Sequence, residues 1–103
     1  MYRGGYTGRI LRINLTDQSI KTEPLPENLA RSYIGGAGFG IKLLFDELKK
    51  GILPLSPENR LIFAPGPLTG TSVPCASRMA ITSKSPLTGA VGISLTGGYF
   101  PVE

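Results

Sequence analysis

The sequence Pro67-Leu68-Thr69-Gly70-Thr71-Ser72 begins the glycine-rich last third of this 103-residue chain. Part of it returns nineteen residues later in Ser85-Pro86-Leu87-Thr88-Gly89, and a short apolar run precedes the turn in both places. A third segment ends in Leu95-Thr96-Gly97-Gly98-Tyr99-Phe100. This echo predicts a sheet in which strands and Pro-Leu-Thr-Gly turns repeat. Because Pro-x-x-Gly is also common turn chemistry, the spacing alone leaves open whether the echo is a true repeat.

The remaining patterns predict short strands and one main helix, and hence a β-rich α+β fold. Residues 8–15 and 20–24 alternate charged or polar with aliphatic side chains, which predicts an N-terminal β-hairpin. Apolar residues at helical spacing predict one main amphipathic helix near residues 38–50, with lysines in its last turn. A helical turn is predicted at residues 26–34. Three strands are predicted at residues 60–64, 79–82 and 90–94, and the strand at 60–64 is expected to be buried.

Composition limits the function classes. The net charge of +4 is spread along the chain, so no basic stripe for nucleic acid is expected. A single cysteine, Cys75, excludes an internal disulfide framework and a cysteine-built zinc or iron-sulfur site, and we expect it to be a partly buried, inert thiol. No apolar stretch is long enough to span a bilayer, and no signal sequence is evident. The expected location is the cytoplasm.

The glycine cluster of residues 35–40 does not match a nucleotide-binding motif. Ile41 stands where a dinucleotide fingerprint needs its third glycine. Elsewhere in the chain, Gly70-Thr71-Ser72 lacks the lysine that a phosphate-binding P-loop needs. We therefore expect a flexible turn that caps a helix beginning near Gly40, whose free amides could receive an anion. The adjacent carboxylates Asp46 and Glu47 face different directions on that helix, so we expect them to be solvated.

Arg78 is the strongest candidate for ligand binding. A guanidinium forms two parallel hydrogen bonds to phosphate and interacts well with anionic sulfur. The small residues Cys75, Ala76 and Ser77 would leave room for a ligand beside it. An arginine next to a strand is also often only a surface or ion-pair residue, so the residue type alone does not decide.

These motifs together resemble the N-terminal domain of the tungsten-containing aldehyde:ferredoxin oxidoreductase family. The resemblance is carried by Leu55-Ser56-Pro57-Glu58-Asn59-Arg60, by both Pro-Leu-Thr-Gly turns, by Arg78 and by Gly97-Gly98-Tyr99-Phe100. The opening Gly8-Arg9-Ile10-Leu11-Arg12-Ile13-Asn14-Leu15 is similar to the family's first strand. In the family's order, the resemblance runs through essentially all 103 residues.

The resemblance implies a base domain of intertwined sheet repeats that carries one side of a tungsten (or molybdenum) bis-pterin cofactor. Arg78 matches an arginine that bonds the pterin dithiolene, and Leu95 and Gly97 match positions that meet the cofactor. The implied cofactor-binding set is Arg78, Leu95, Thr96, Gly97 and Gly98, with no catalytic residue and no metal ligand in this chain. Leu95 replaces the family's usual asparagine, so any contact there with a magnesium ion bridging the pterin phosphates would use the main-chain carbonyl.

The activity implied is oxidation of an aldehyde to a carboxylic acid, with electrons passed to a [4Fe-4S] cluster and ferredoxin. Residues 1–103 are then expected to be a single, incomplete N-terminal cofactor-binding domain, inactive alone, whose partners are the remaining domains or a larger catalytic subunit. The alternative is a non-catalytic pterin-binding or assembly subunit that pairs with a larger oxidoreductase chain. A β-rich domain without a ligand is the third interpretation.

Overall fold

The N-terminal part of the fold is an antiparallel hairpin. A computed structural model describes residues 5–102, in which β1 (Arg9–Asn14) pairs with β2 (Ser19–Pro24). The Asn14 side chain stabilises the turn, since its Oδ1 accepts hydrogen bonds from the Thr16 and Asp17 amides at 3.0 and 3.4 Å. The predicted hairpin is confirmed.

A second sheet contains the three predicted strands. β3 (Ile62–Pro65), β4 (Arg78–Lys84) and β5 (Val91–Gly97) are antiparallel and lie in the order β3-β4-β5. Both Pro-Leu-Thr-Gly turns end in a left-handed glycine, with φ of 80° at Gly70 and 72° at Gly89. The two turns are therefore locally alike, and the intertwining of repeats stays a prediction.

Two helices connect the sheets, which gives the expected α+β fold. α1 (Glu27–Tyr33) matches the predicted helical turn, and α2 (Gly36–Glu47) is the main helix. α2 begins inside the glycine cluster, so the expectation of a flexible turn up to Gly40 is wrong. It also ends before Lys49 and Lys50, so the expected lysines in its last turn lie beyond the helix.

A close contact between α2 and β4 explains why glycines are tolerated in the helix. Gly40 is buried, and a Cβ added there would lie 2.7 Å from Thr82 Cβ and closer still to its hydroxyl oxygen. Thr82 is fully buried, and its hydroxyl has no hydrogen-bond partner within residues 5–102. Tertiary packing thus outweighs the low helix propensity of glycine.

The core lies on the helix-covered side of both sheets. Leu25, Leu29 and Ala30 form a buried cluster beneath the hairpin. α2 packs on β3 and β4, where Ala64 and Ala80 are buried. The exception is Met79, which is buried on the opposite face of the second sheet, and Leu44 and Ile52 are further buried apolar side chains.

The strand predicted at residues 60–64 is present as β3, but the expectation that it is buried is wrong. Leu61 and Phe63 are 63% and 51% exposed, whereas Ala64 is buried. Successive side chains of a strand point to opposite faces, and α2 covers only the face that carries Ala64. An apolar run therefore does not imply burial on both faces here.

An ion-pair cluster attaches the hairpin to α2. Arg12 donates from Nε to Glu23 at 2.8 Å and from Nη1 to Glu47, and Arg60 Nε lies 3.9 Å from the same Glu47 carboxylate. The hydrogen bond to Glu23, followed by that to Glu47, raises the pKa of Arg12. Glu47 is only 23% exposed, so its expected solvation is wrong, whereas Asp46 is exposed and pairs with Lys42 on its own helix.

Substitutions at the contact between α2 and β4 should change stability in opposite directions. Gly40→Ala should lower the free energy of unfolding by about 1–3 kcal/mol through overpacking, although alanine is the better helix former. Thr82→Val should raise it by about 1 kcal/mol, because the unpartnered buried hydroxyl is removed. Urea unfolding followed by circular dichroism measures both changes. A Gly40→Ala chain as stable as the wild type would contradict the close packing.

Glu47→Gln should weaken the attachment of the hairpin to α2. We expect the free energy of unfolding to fall by about 1 kcal/mol or less, and by less still at high salt, since the cluster is partly exposed. Asp46→Asn, which removes a single exposed pair, should cost less and serves as the control. The raised pKa of Arg12 means that its contribution is present at neutral pH and is lost only in strongly alkaline solution. Equal losses in the two variants would show that Glu47 has no special role.

Candidate functional site

The structure places Arg78 beside the Gly-Gly-Tyr-Phe turn. Arg78 begins β4 and lies directly opposite Gly97, which ends β5. A Cβ added to Gly97 would lie 3.8 Å from Cδ and Nε of Arg78 and 3.2 Å from the Ser77 carbonyl oxygen. The arginine side chain therefore begins alongside the Gly97 main chain, where glycine permits a close approach.

The positive charge of Arg78 is not neutralised within the part of the chain that the structure describes. Across residues 5–102, no acidic group forms an ion pair with its guanidinium, and no side-chain hydrogen bond occupies it. Its main chain is held, since Arg78 O accepts hydrogen bonds from the Gly66 amide at 3.2 Å and from Thr69 Oγ1 at 3.0 Å. A fixed backbone and an exposed, unpaired guanidinium suit an anion-binding residue.

The hydroxyl of Thr69 stabilises the loop before Arg78. Thr69 Oγ1 lies 3.0 Å from the carbonyl oxygens of both Ala76 and Arg78, at the two ends of the segment that leads into β4. Cys75 in this loop is exposed and has a positive φ of 58°, so the expected partial burial of its thiol is wrong. Hydrogen bonds rather than packing of the thiol hold the loop.

In the antiparallel β4–β5 pair, hydrogen-bonded and non-hydrogen-bonded residue pairs alternate, and this decides which main-chain groups of β5 bond to β4. The Arg78 carbonyl bonds to Gly66 on the β3 side, whereas the Ser85 amide bonds to Ala90 on the β5 side at 2.7 Å. Even-numbered residues of β4 therefore direct their main-chain N–H and C=O groups at β3. Their partners on β5, which include Leu95 and Gly97, direct the same groups away from β4. Because β5 is an edge strand, these groups lie at an open edge.

The five predicted site residues lie near one end of the β4–β5 pair, but not on one face. Arg78 and Leu95 share the face on which α2 packs, because the side chain of Thr82 on the same strand meets Gly40. Leu95 is 63% exposed. Thr96 points to the opposite face and is paired through its main chain with β4, and Gly98 forms the turn with a φ of 75°.

Sequence reasoning missed the roles of two hydroxyls, Thr69 and Ser77. Ser77 Oγ donates a hydrogen bond to the Gly98 carbonyl and so joins the turn to the residue before Arg78. The only signal in the sequence was that Ser77 is small and adjacent to Arg78. No cluster of metal-ligating side chains occurs among residues 5–102, and no helix in that range could cross a membrane.

The arrangement can therefore bind a large, anionic ligand that also forms hydrogen bonds. It offers one unpaired guanidinium, main-chain donors and acceptors at an open edge, and glycines that allow close approach. Nothing in this set abstracts or delivers a proton at neutral pH. These groups are suited to holding and orienting a ligand.

Comparisons with known proteins identify the family of this chain. Residues 10–103 match the family model described as "Aldehyde ferredoxin oxidoreductase, N-terminal domain". A "Tungsten-containing aldehyde ferredoxin oxidoreductase" of Pyrococcus abyssi is 52% identical over 99 residues, which cover 96% of this chain and 16% of the relative. The "Aliphatic sulfonate oxidoreductase, WOR-like subunit" of Pyrococcus furiosus is 36% identical over 95 residues, covering 88% of this chain and 15% of the relative.

A solved structure has the same fold. It is titled "Active site complex BamBC of Benzoyl Coenzyme A reductase in complex with 1,5 Dienoyl-CoA", and it superposes with a TM-score of 0.95 at 35% sequence identity. The match covers 99% of this chain and 16% of that one. The chain thus spans about one sixth of the length of the proteins it matches. It belongs to the aldehyde ferredoxin oxidoreductase family and corresponds to that family's N-terminal domain.

Proposed function

We propose that this chain forms one side of a tungsten (or molybdenum) bis-pterin site in an aldehyde:ferredoxin oxidoreductase. The observation that carries the proposal is the guanidinium of Arg78, which is unpaired among residues 5–102 and lies next to the Gly97 main chain. Relatives that share about half of this sequence are named as tungsten-containing enzymes. Residues 1–103 would then be the N-terminal, cofactor-binding part of a longer cytoplasmic enzyme.

The residues at this edge fit the chemistry of a bis-pterin. Such a cofactor presents phosphates, ring amides and dithiolene sulfurs. The Arg78 guanidinium is suited to the anionic oxygens or sulfurs, and the free main-chain groups of Leu95 and Gly97 are suited to the ring amides and phosphates. When bound, the cofactor supplies the redox chemistry that converts an aldehyde and water to a carboxylic acid.

Each predicted residue then has a separate task. Arg78 offsets negative charge on the ligand, and Gly97 lets the ligand approach the main chain. Leu95 acts through its carbonyl, which is directed at the open edge and suits the magnesium that bridges the pterin phosphates. The ladder pairing of Thr96 with β4 keeps Leu95 and Gly97 turned outward, and Gly98 supplies the left-handed turn.

The rest of the enzyme must supply what this chain does not. We propose that further domains, or a larger catalytic subunit, hold the [4Fe-4S] cluster and the acid-base groups near the metal. Ferredoxin would receive the electrons, and a small aldehyde would be the substrate. In this arrangement the chain binds and orients the cofactor, and we expect no turnover from it alone.

Replacing Arg78 should lower the cofactor content of the tungsten-loaded protein that contains this chain. Arg78→Ala removes charge-assisted hydrogen bonds and should reduce bound tungsten and pterin by about tenfold or more. Arg78→Lys keeps the charge but cannot form two parallel hydrogen bonds, so its tungsten and pterin content should lie between those of the wild type and Arg78→Ala. The control is Arg31→Ala, an exposed residue of α1 whose replacement removes only a surface pair. Metal analysis and pterin fluorescence give the readout, and unchanged contents in Arg78→Ala would contradict the proposal.

Changes on β5 should separate main-chain from side-chain contributions. Leu95→Asn should leave tungsten content unchanged, because the contact proposed there uses the carbonyl. Gly97→Val should lower it severalfold, since the added Cβ would crowd the Ser77 carbonyl, 3.2 Å away, and the ligand. Metal analysis of purified protein checks both. A large change in the Leu95→Asn protein would show instead that the side chain at this position matters.

A further inference from the structure

Ser77 extends the β4–β5 pairing with its side chain. In the register of the two strands, Ser77 stands opposite Gly98, one position beyond the Arg78–Gly97 pair. Its hydroxyl donates to the Gly98 carbonyl. Among the hydrogen bonds outside the strand ladders in residues 5–102, no main-chain amide donates to the Gly98 carbonyl. The hydroxyl thus takes the place of the next hydrogen bond of the ladder.

This hydrogen bond fixes the direction of the peptide unit between Gly98 and Tyr99. The C=O and N–H of a trans peptide point in opposite directions. Because the Gly98 carbonyl points toward Ser77, the Tyr99 N–H points away from β4. The Leu95 and Gly97 main chains are free on that same side of β5, and among the described residues the Tyr99 N–H has no acceptor.

Gly98 makes this peptide unit easier to turn than a residue with a side chain would. Gly98 already has a positive φ of 75°, and it has no side chain that would restrict rotation on its side of the peptide. The strand pairing ends at Gly97, so it does not hold the turn. The Ser77 hydroxyl is the contact that selects one orientation of the Gly98–Tyr99 peptide.

We propose that Ser77 is a positioning residue of the cofactor site. By holding the Gly98 carbonyl, it presents the Tyr99 N–H as a main-chain donor that acts together with the Arg78 guanidinium on one anionic oxygen or sulfur group. Both donors lie at the same end of the β4–β5 pair, where Arg78 begins β4 and Tyr99 follows the end of β5. This inference rests on the proposed function and adds a residue to that same site.

Ser83 offers a matched control at the far end of the same strand. Its Oγ donates to the Arg60 carbonyl at 2.6 Å, so Ser83→Ala removes a comparable hydrogen bond away from the site. In the tungsten-loaded protein that contains this chain, Ser77→Ala should retain about fivefold less tungsten and pterin after gel filtration. Ser83→Ala should retain the wild-type amount, while the thermal midpoints of both variants fall by similar amounts.

A second pair of variants keeps the test independent of folding effects. Ser77→Thr and Ser77→Val have the same shape and differ in the hydroxyl. Threonine should restore tungsten retention, and valine should not. Equal retention in these two variants, or in Ser77→Ala and Ser83→Ala, would overturn the proposal, and if Ser77→Ala does not fold the isosteric pair decides.

The same measurements distinguish this inference from the proposed function. If Arg78→Ala retains its tungsten, the proposed cofactor site itself is wrong. If Arg78→Ala loses tungsten while Ser77→Ala keeps it, the cofactor site stands and the positioning role of Ser77 fails.

Discussion

The register between β4 and β5 is the constraint on which the candidate site depends. It sets Arg78 opposite Gly97 and turns the main-chain groups of Leu95 and Gly97 to the open edge of the sheet. A slip of one residue would reverse this alternation and direct those groups at β4 instead. The candidate site therefore depends on strand pairing, because its residues come together only in this register.

The register is in turn supported by the packing of α2. Gly40 allows the helix to contact Thr82, and the buried residues Ala64 and Ala80 lie on the same side of the sheet. Helix packing fixes which face of β4 is inside, and with it the face on which Arg78 lies. The Arg12–Glu47 pair joins the hairpin to the opposite end of α2. A small core and one ion-pair cluster thus hold both sheets to a single helix.

Sequence predicted the elements whose signals are local and missed those that depend on distant contacts. The alternation in the hairpin and the turn residues around the second sheet gave correct strands, because strand periodicity and turn chemistry act over a few residues. The start of α2 was missed, since a glycine cluster is a poor helix former unless packing requires it. Arg78 was predicted as a candidate from its chemistry, but its pairing with Gly97 and the hydrogen bond from the Ser77 hydroxyl to Gly98 emerge only from the structure.

The open edge of β5 has a consequence for handling the chain in isolation. Val91, Ile93 and Leu95 alternate along this strand with 44%, 48% and 63% of their surfaces exposed. Unpaired backbone groups beside apolar side chains are a template on which a strand of another molecule can add. Expressed without a covering polypeptide, the chain is expected to self-associate through β5 into aggregates, whose growth a lysine substituted at Ile93 would slow.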